Sequence, residues 1–573
     1  MIRASVCLDG YHLNTSDKIR TRDLPFGTHT KLVCSMNSAK SLKPGFGVSA
    51  LRLRLHFTPN TGILRRFDML YVKPRWPVSR PCYAAICMVF ALAALVAQVE
   101  VIAGNPNVIL VMADDQGWGQ TGYNNHPILK TPNLDKMSQA GLRFDRFYAG
   151  APVCSPTRGA VLTGRANDRI GVLSHGYALR RQEITIAQIM KQAGYVTGHF
   201  GKWHLNAMRG PGVPILNTDT HHPGNFGFDS WLSVTNFFDR DPILSRRGKF
   251  EEFKGDSSEV VVDELMKFVR RQNRIRQPFF AVVWYGTPHS PFKASDADME
   301  PFKELDEQSK HHYGELVAMD RSIGTLRSGL REVGIAENTL VWFCSDNGGL
   351  PKIKPDTVGG LRGNKGTVYE GGLRVPAIIE WPAGIPKPKT TMHPSSVLDI
   401  VPTLLDVVGQ SHPAPERPLD GISLRPLFTE TIEKRAKPIP FRHTGRAALV
   451  DNHFKLVTQD IKKGKYELYD LQNDPTESKN IAIEQPELAG RMIKTFLDWN
   501  ASVDNSDAGK DYPSQKVNED EPEPRFWTEV EAYQAYFPEW KLRWEYQARL
   551  TPKKKAAPKQ KKKDKAKKQA NKS

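Results

Sequence analysis

The chain has 573 residues, 39% hydrophobic and 25% charged, which is enough for one large globular domain with a smaller companion. Its formal charge of +18 lies at the ends: residues 1–103 carry 14 Lys and Arg against 5 Asp and Glu, residues 552–573 carry 11 Lys against one Asp, and the stretch between is net −1. A nucleic-acid footprint needs basic clustering on the folded body, so no nucleic-acid partner is expected.

Residues 1–68 are Arg- and Ser-rich and read as aperiodic, a non-native leader or over-called start ahead of Met69. Residues 69–103 read as a signal peptide. Lys73, Arg75 and Arg80 precede the apolar run Ala84–Ala97, which has the length of a secretory core and is short for a membrane span. Cleavage after Ala97 or Ala103 would start the mature chain near residues 98–105. The expected location is outside the cytoplasm (periplasmic, secreted or otherwise exported), with no integral membrane segment after cleavage; an uncleaved anchor is the alternative. Four of the six cysteines, Cys7, Cys34, Cys82 and Cys87, lie in this leader. Only Cys154 and Cys344 remain, so no disulfide framework holds the body.

From residue 104 the pattern alternates between strands and helices, an α/β arrangement. NVILVMA, Asn107 to Ala113, is a continuous apolar run of the kind a buried parallel strand needs, and it ends in Asp114-Asp115. YVTGHF leads to Lys202 and His204, PFFAVVWYG to His289, and TLVWFCS to Asp346-Asn347. Helical spacing marks Ile184–Gly194, the stretch from Val261 and the stretch from His312. In an open parallel sheet, ligands bind beyond the carboxyl ends of the strands, so these four polar clusters are expected to meet. Asp114, Asp115, Asp346 and Asn347 offer oxygen ligands, the preference of Ca²⁺ or Mg²⁺. Arg158, Lys202, His204, His289 and Lys365 supply positive charge and protons, which suits a tetrahedral oxyanion beside a cation. Cys154 precedes Ser155-Pro156 and GAVLTG, which places it at a helix N-terminus, where anions are stabilised.

Cys154-Ser155-Pro156-Thr157-Arg158 with Leu162-Thr163-Gly164-Arg165 resembles the motif of the type I, formylglycine-dependent sulfatases. Six further blocks run in the same order: NVILVMADDQGWG, KTPNLDKMSQAGLRFDRFYA, GYVTGHFGKWHL, TPHSPF, CSDNGG and GNKGTVYEGGLRVPAIIEWP, with ELYDLQNDPTESKNIA after them. The blocks are most similar to the arylsulfatase A and N-acetylgalactosamine-6-sulfatase branch.

The resemblance implies an alkaline-phosphatase-like fold: a large mixed, mostly parallel sheet flanked by helices, with a smaller C-terminal α+β domain. It implies one Ca²⁺ per subunit held by Asp114, Asp115, Asp346, Asn347 and modified Cys154. It implies conversion of Cys154 to formylglycine by a formylglycine-generating enzyme, the aldehyde hydrate then being the nucleophile. Arg158 would hold that group, Lys202 and Lys365 would bind sulfate, His204 would act as base, and His289 would bind sulfate and donate a proton. The expected reaction is hydrolysis of a sulfate ester on a sulfated carbohydrate. Aryl sulfate or phosphate ester hydrolysis and an inactive sulfoglycan-binding protein are the alternatives.

The expected boundaries are 104–440 for the catalytic domain, 441–504 for the C-terminal α+β subdomain, 505–550 for an irregular extension and 551–573 for a Lys-rich disordered tail. Ser174–Glu183 and His221–Ser233 are expected at the pocket mouth. There His175, Arg180, Arg181 and His222 are either sugar contacts or solvated loop residues.

Overall fold

The computed structural model describes residues 105–551 and, before them, the backbone of four strands: Ala4–Cys7 (β1), Leu32–Ser38 (β2), Ala50–Phe57 (β3) and Arg65–Val72 (β4). The apolar export segment from Cys82 and the Lys-rich tail lie outside the described residues. The four strands form a sheet of their own, with β1 parallel to β2 and the other pairs antiparallel. The stretch read as aperiodic therefore contains strands, and ALRLRLHF does alternate Leu with Arg or His at the strand period of two.

The body, from Ala103 onward, is a separate compact unit. Its main sheet contains Asn107–Ala113 (β5), Leu142–Tyr148 (β6), Val196–Lys202 (β7), Ser230–Val234 (β9), Ile243–Arg246 (β10), Lys249–Glu252 (β11), Phe279–Trp284 (β12), Thr339–Ser345 (β13), Arg374–Glu380 (β14), Lys389–Thr391 (β15) and Ser395–Ser396 (β16). A short strand, Met208–Arg209 (β8), lies apart from it. The order is β11-β10-β9-β7-β12-β5-β13-β14-β6-β15, with β16 also on β6. From β9 to β13 every pairing is parallel, and the antiparallel pairs lie at the flanks. The sheet is thus mixed and mostly parallel, as expected.

The central strands β5, β12 and β13 are largely apolar because both faces of the sheet are buried, whereas β7, VTGHFGK, is buried but mixed. Val108, Leu110 and Met112 of β5 enter one core with Trp284 and Trp342, while Ile109 and Val111 enter the other with Val283 and Phe343. Local chemistry sets the helix ends. Thr185 and Gln188 form a capping box ahead of Ile186–Gln192, Asp256 caps Ser257–Arg274, and Asp306 caps Glu307–Glu332. Gly201 in β7 has φ +102°, and a Cβ there would stand 2.0 Å from the Trp284 carbonyl oxygen, so only glycine lets β7 and β12 close at this point.

The C-terminal sheet is antiparallel: Ile439–His443 (β17), Arg446–Asp451 (β18), Phe454–Thr458 (β19) and Glu467–Asp470 (β20). The helix Pro486–Asp507 packs on it through Ala489, Met492 and Phe496. Buried ion pairs join this part to the main sheet. Lys455 lies 3.0 Å from both Glu370 and Glu477, and Arg169, itself paired with Asp420 at 2.9 Å, donates to Ser506 Oγ of the helix at 2.9 Å.

The stretch after Asp507 is more ordered than its composition suggests. Arg525–Phe526 (β21) pairs in parallel with β8. Trp527, Tyr533, Trp540 and Tyr546 are buried against Met208, Val213 and Ile243. The Tyr533 and Tyr546 hydroxyls donate to the carbonyls of Pro214 and Gly212 at 2.9 and 2.8 Å. This segment is a strap across the edge of the main domain, held by aromatic burial. Trp540→Ala should remove about 3–5 kcal/mol of packing. Limited proteolysis is expected to cut that variant first between residues 508 and 551, and cleavage elsewhere would contradict the docked strap.

Candidate active site

The four polar clusters meet because β7, β12, β5 and β13 are neighbours in the sheet, in that order. Backbone bonds tie their ends together. Asp114 N donates to Thr287 O at 2.9 Å, and Asp346 N to Ala113 O at 3.1 Å. A fifth segment joins them from the loop after β13. Lys365 N donates to Gly349 O at 3.0 Å, and Gly366 N to Pro152 O at 2.8 Å.

Cys154 is the first residue of the helix Cys154–Thr163, whose C-cap is Gly164 in the left-handed conformation. Every residue of that helix is buried, including Arg158. Arg158 reaches Asp346 Oδ2 at 2.7 Å and Asp114 Oδ2 at 3.6 Å, and its guanidinium lies 5.1 Å from the Trp284 ring. Lys202 Nζ sits 2.5 Å from Asp114 Oδ2. Asp115 takes Lys365 Nζ at 2.6 Å, and its backbone N–H donates to Asp346 Oδ1 at 3.1 Å. Asn347 Nδ2 donates to Asp115 Oδ1 at 2.8 Å. Cys154 Sγ is 3.3 Å from His204 Nδ1. His289 Nδ1–H donates to the Ser290 carbonyl at 2.6 Å, which leaves Nε2 facing Asp115 Oδ2 at 3.8 Å. All ten sequence-selected residues thus fall in one connected group. Asp115 and His204 both hold φ near +60°, the left-handed backbone that functional sites retain at an energetic cost.

The electrostatics follow from burial. Burial pushes the Asp114 carboxyl up, but Lys202, His289, Arg158 and Lys365 outweigh it and hold the group below the usual range. Burial and the Asp114 charge push Asp346 up to about 7. Burial pushes the Cys154 thiol up, so it stays protonated at neutral pH. Burial, then Lys202 and Arg158, push His204 far below its ordinary value. Burial and Lys365 bring His289 down to about 4. Lys365 is raised, Asp115 overcoming the cost of burial.

Two oxygens at the centre, Asp114 Oδ1 and Asn347 Oδ1, are buried without a hydrogen-bond partner. Ligand atoms of Asp114, Asp115 and His289 lie within 4.8 Å of one another. Orphaned buried oxygens among carboxylates fit a hard divalent cation. Asp346 borders this group through Asp115 N, and Cys154 through the shared Lys202 and Lys365 field.

Sequence reasoning missed Phe237, which stacks on His289 with centroids 4.4 Å apart, and Trp284 beneath Arg158. Trp284 ends a strand that the sequence marks, but nothing local ties Phe237 to a histidine 52 positions on. The mouth residues divide. His175 is exposed, Arg180 is taken by Asp507 at 2.7 Å, the Arg181 backbone N–H donates to Glu521, and His222 stacks on Trp231.

The sulfatase family model matches residues 106–410, and a second model, N-sulphoglucosamine sulphohydrolase C-terminal, matches residues 363–496. The chain belongs to the sulfatase family. It is 32% identical over 366 residues to N-acetylgalactosamine-6-sulfatase of Canis lupus familiaris, covering 56% of this chain and 66% of that one. It is 33% identical over 371 residues to arylsulfatase A of Homo sapiens, covering 58% of this chain and 69% of that one. The chain therefore spans about two thirds of the length of these curated relatives. A crystal structure of Ps i-CgsB in complex with k-i-k-neocarrahexaose superposes with a TM-score of 0.62 at 26% identity, covering 78% of this chain and 100% of that one.

Ca²⁺ at about a hundred times its Kd should stabilise the protein by about 2.7 kcal/mol, read as a rise in melting temperature. Asp114→Asn with Asp115→Asn should abolish the rise. An equal rise in that variant would place the cation elsewhere.

Proposed function

We propose that this protein hydrolyses sulfate esters, releasing inorganic sulfate from a sulfated carbohydrate, with Cys154 converted to formylglycine. One observation carries the reading. The cysteine of the Cys-x-Pro-x-Arg motif opens a fully buried helix, 3.3 Å from His204 and within the field of Lys202 and Lys365, beside buried oxygens that lack partners. The thiol itself is a poor nucleophile, because burial keeps it protonated. Its position, at a helix N-terminus facing cations, suits an oxyanion.

Asp114, Asp115, Asp346 and Asn347, with residue 154, would hold the Ca²⁺, which when bound polarises sulfate and nucleophile oxygens. Formylglycine would supply a hydrated aldehyde, one hydroxyl for attack on sulfur and a second for expulsion of sulfate.

The chain's own residues do the rest. Arg158, fixed by Asp346 and Asp114, orients position 154. Lys202 and Lys365 neutralise the ester's charge, and preorganised cations of this kind cost no reorganisation during reaction. His204 is neutral near Sγ and so is available to take a proton from an oxygen at that position. His289, flat against Phe237, offers Nε2 toward the leaving oxygen. Burial and Lys365 hold its proton affinity down, and an anionic ester beside Lys365 would oppose that effect.

The carbohydrate reading is supported by the names of the relatives and by the bound neocarrahexaose of Ps i-CgsB. An aryl sulfate is the practical probe. We also assign a formylglycine-generating enzyme as the partner in maturation and an extracytoplasmic location for the mature chain.

Peptide mass spectrometry across Cys154 of active native protein should show loss of the thiol and gain of an aldehyde. Unmodified Cys154 in fully active protein would overturn the mechanism. Cys154→Ala should lower p-nitrophenyl sulfate turnover at least about a thousandfold, on the order of 4 kcal/mol. Lys365→Ala should cost about a hundredfold, on the order of 3 kcal/mol. The wild type should prefer p-nitrophenyl sulfate to the phosphate, and the reverse preference would reassign the substrate.

A further inference from the structure

The mouth of the site carries a cation that the proposed hydrolysis does not use. Arg209 lies on β8, pressed against Gly176, where an added Cβ would stand 2.7 Å from Arg209 Cγ. Gly176 N–H donates to Ser155 Oγ at 2.8 Å, and Ser155 follows Cys154. Gly176, which has no room for a side chain beside Arg209, therefore sits between that arginine and the start of the Cys154–Thr163 helix. His175, the residue before Gly176, is exposed and lies within the electrostatic field of Arg209, Lys365 and Lys202.

Arg209 has no ion pair or side-chain hydrogen bond among the described residues, and its Nε is buried without a partner. Its guanidinium stands 6.0 Å from the Tyr177 ring. Arg180, on the same loop as Gly176, is by contrast fully engaged with Asp507. A half-buried guanidinium without a counter-charge is costly, and an anion that arrives with the ligand removes that cost.

The strap fixes this residue from behind. Phe526 of β21 lies opposite Arg209, Arg525 N–H donates to Ala207 O at 3.0 Å, and Gly210 abuts the Trp527 indole. The strand is held before any ligand arrives, which lowers the cost of binding.

We infer that Arg209, with His175 beside it, forms a second anion subsite. The substrate carries, besides the scissile sulfate, another anionic substituent on the same or an adjoining sugar ring. This inference rests on the hydrolase reading for the position of the scissile ester, but its binding claim can be read without turnover. A sulfate and a uronate carboxylate share the chemistry that Arg209 would recognise.

The test is calorimetry on Cys154→Ala protein with Ca²⁺. Its probes are oligosaccharides carrying one sulfate, two sulfates, or one sulfate and one uronate carboxylate. At least one doubly charged class should bind about tenfold or more tightly than the singly charged one, the worth of one hydrogen bond to a charged group. That ratio should fall to near one when Arg209→Gln is added, and Arg209→Lys should restore part of it. The class that shows the preference identifies the second group. Equal affinities in the parent, or a ratio that survives Arg209→Gln in folded protein, would overturn the subsite. An Arg209-dependent preference without turnover of any sulfate ester by aldehyde-containing wild type would leave the subsite standing and sink the hydrolase reading. Turnover without the preference would do the reverse.

Discussion

Six charges gathered at the carboxyl edge of four adjacent strands, five of them fully buried, have to neutralise one another, and the rest of the structure is arranged around that requirement. Asp114, Asp115 and Asp346 face Arg158, Lys202 and Lys365, each within hydrogen-bonding reach of an opposite charge. Removing such ions from water costs several kcal/mol apiece unless geometry compensates. The balance is close but strained: Asp346 is pushed up to about 7 by burial and by Asp114, and two central oxygens lack partners. A dication would relieve both defects and leave the site positive, the sign an ester sulfate would require.

Holding that balance takes rigid support from three directions. The parallel strands bring the carboxylates together, and their two-sided apolar cores leave little freedom to spread apart. The buried Cys154–Thr163 helix delivers Arg158 and position 154 from one side, while the loop carrying Lys365 is bonded to Pro152 and Gly349. The C-terminal sheet is fastened through Lys455, Glu370 and Glu477, and Glu370 also receives the Tyr148 hydroxyl at 3.1 Å. Conformational strain at Asp115 and His204 is affordable only inside such a frame.

The proposed chemistry uses the inner half of this pocket, and the outer half differs in character. Its wall is built from β8, the Gly176 loop and the strap, which are joined by a two-residue parallel pairing and an aromatic cluster. The residues of the proposed chemistry lie within the stretch that the sulfatase family model matches, whereas the strap lies beyond it.

Much of the site was legible in the sequence, because the relevant physics is short-range. A continuous apolar run followed by Asp-Asp or Asp-Asn-Gly-Gly declares a buried strand with polar groups at its carboxyl end, and β5, β7, β12 and β13 fall where their runs placed them. Ser-Pro after Cys154 declares a helix start. The Leu and Arg alternation of Ala50–Phe57 was equally local, and reading that region as aperiodic overlooked it.

Only the tertiary structure decided the strand order, the stacking of Phe237 on His289, the pairing of Arg180 with Asp507, and the docking of residues 525–546. Each depends on contacts between segments that sequence spacing does not relate. The aromatic residues of the strap carry no helical or strand period, so burial alone assigns them. Arg209 and Arg180 look alike in sequence, both arginines in polar loops near the motif. They part because an aspartate from the C-terminal helix reaches one and no carboxylate among the described residues reaches the other.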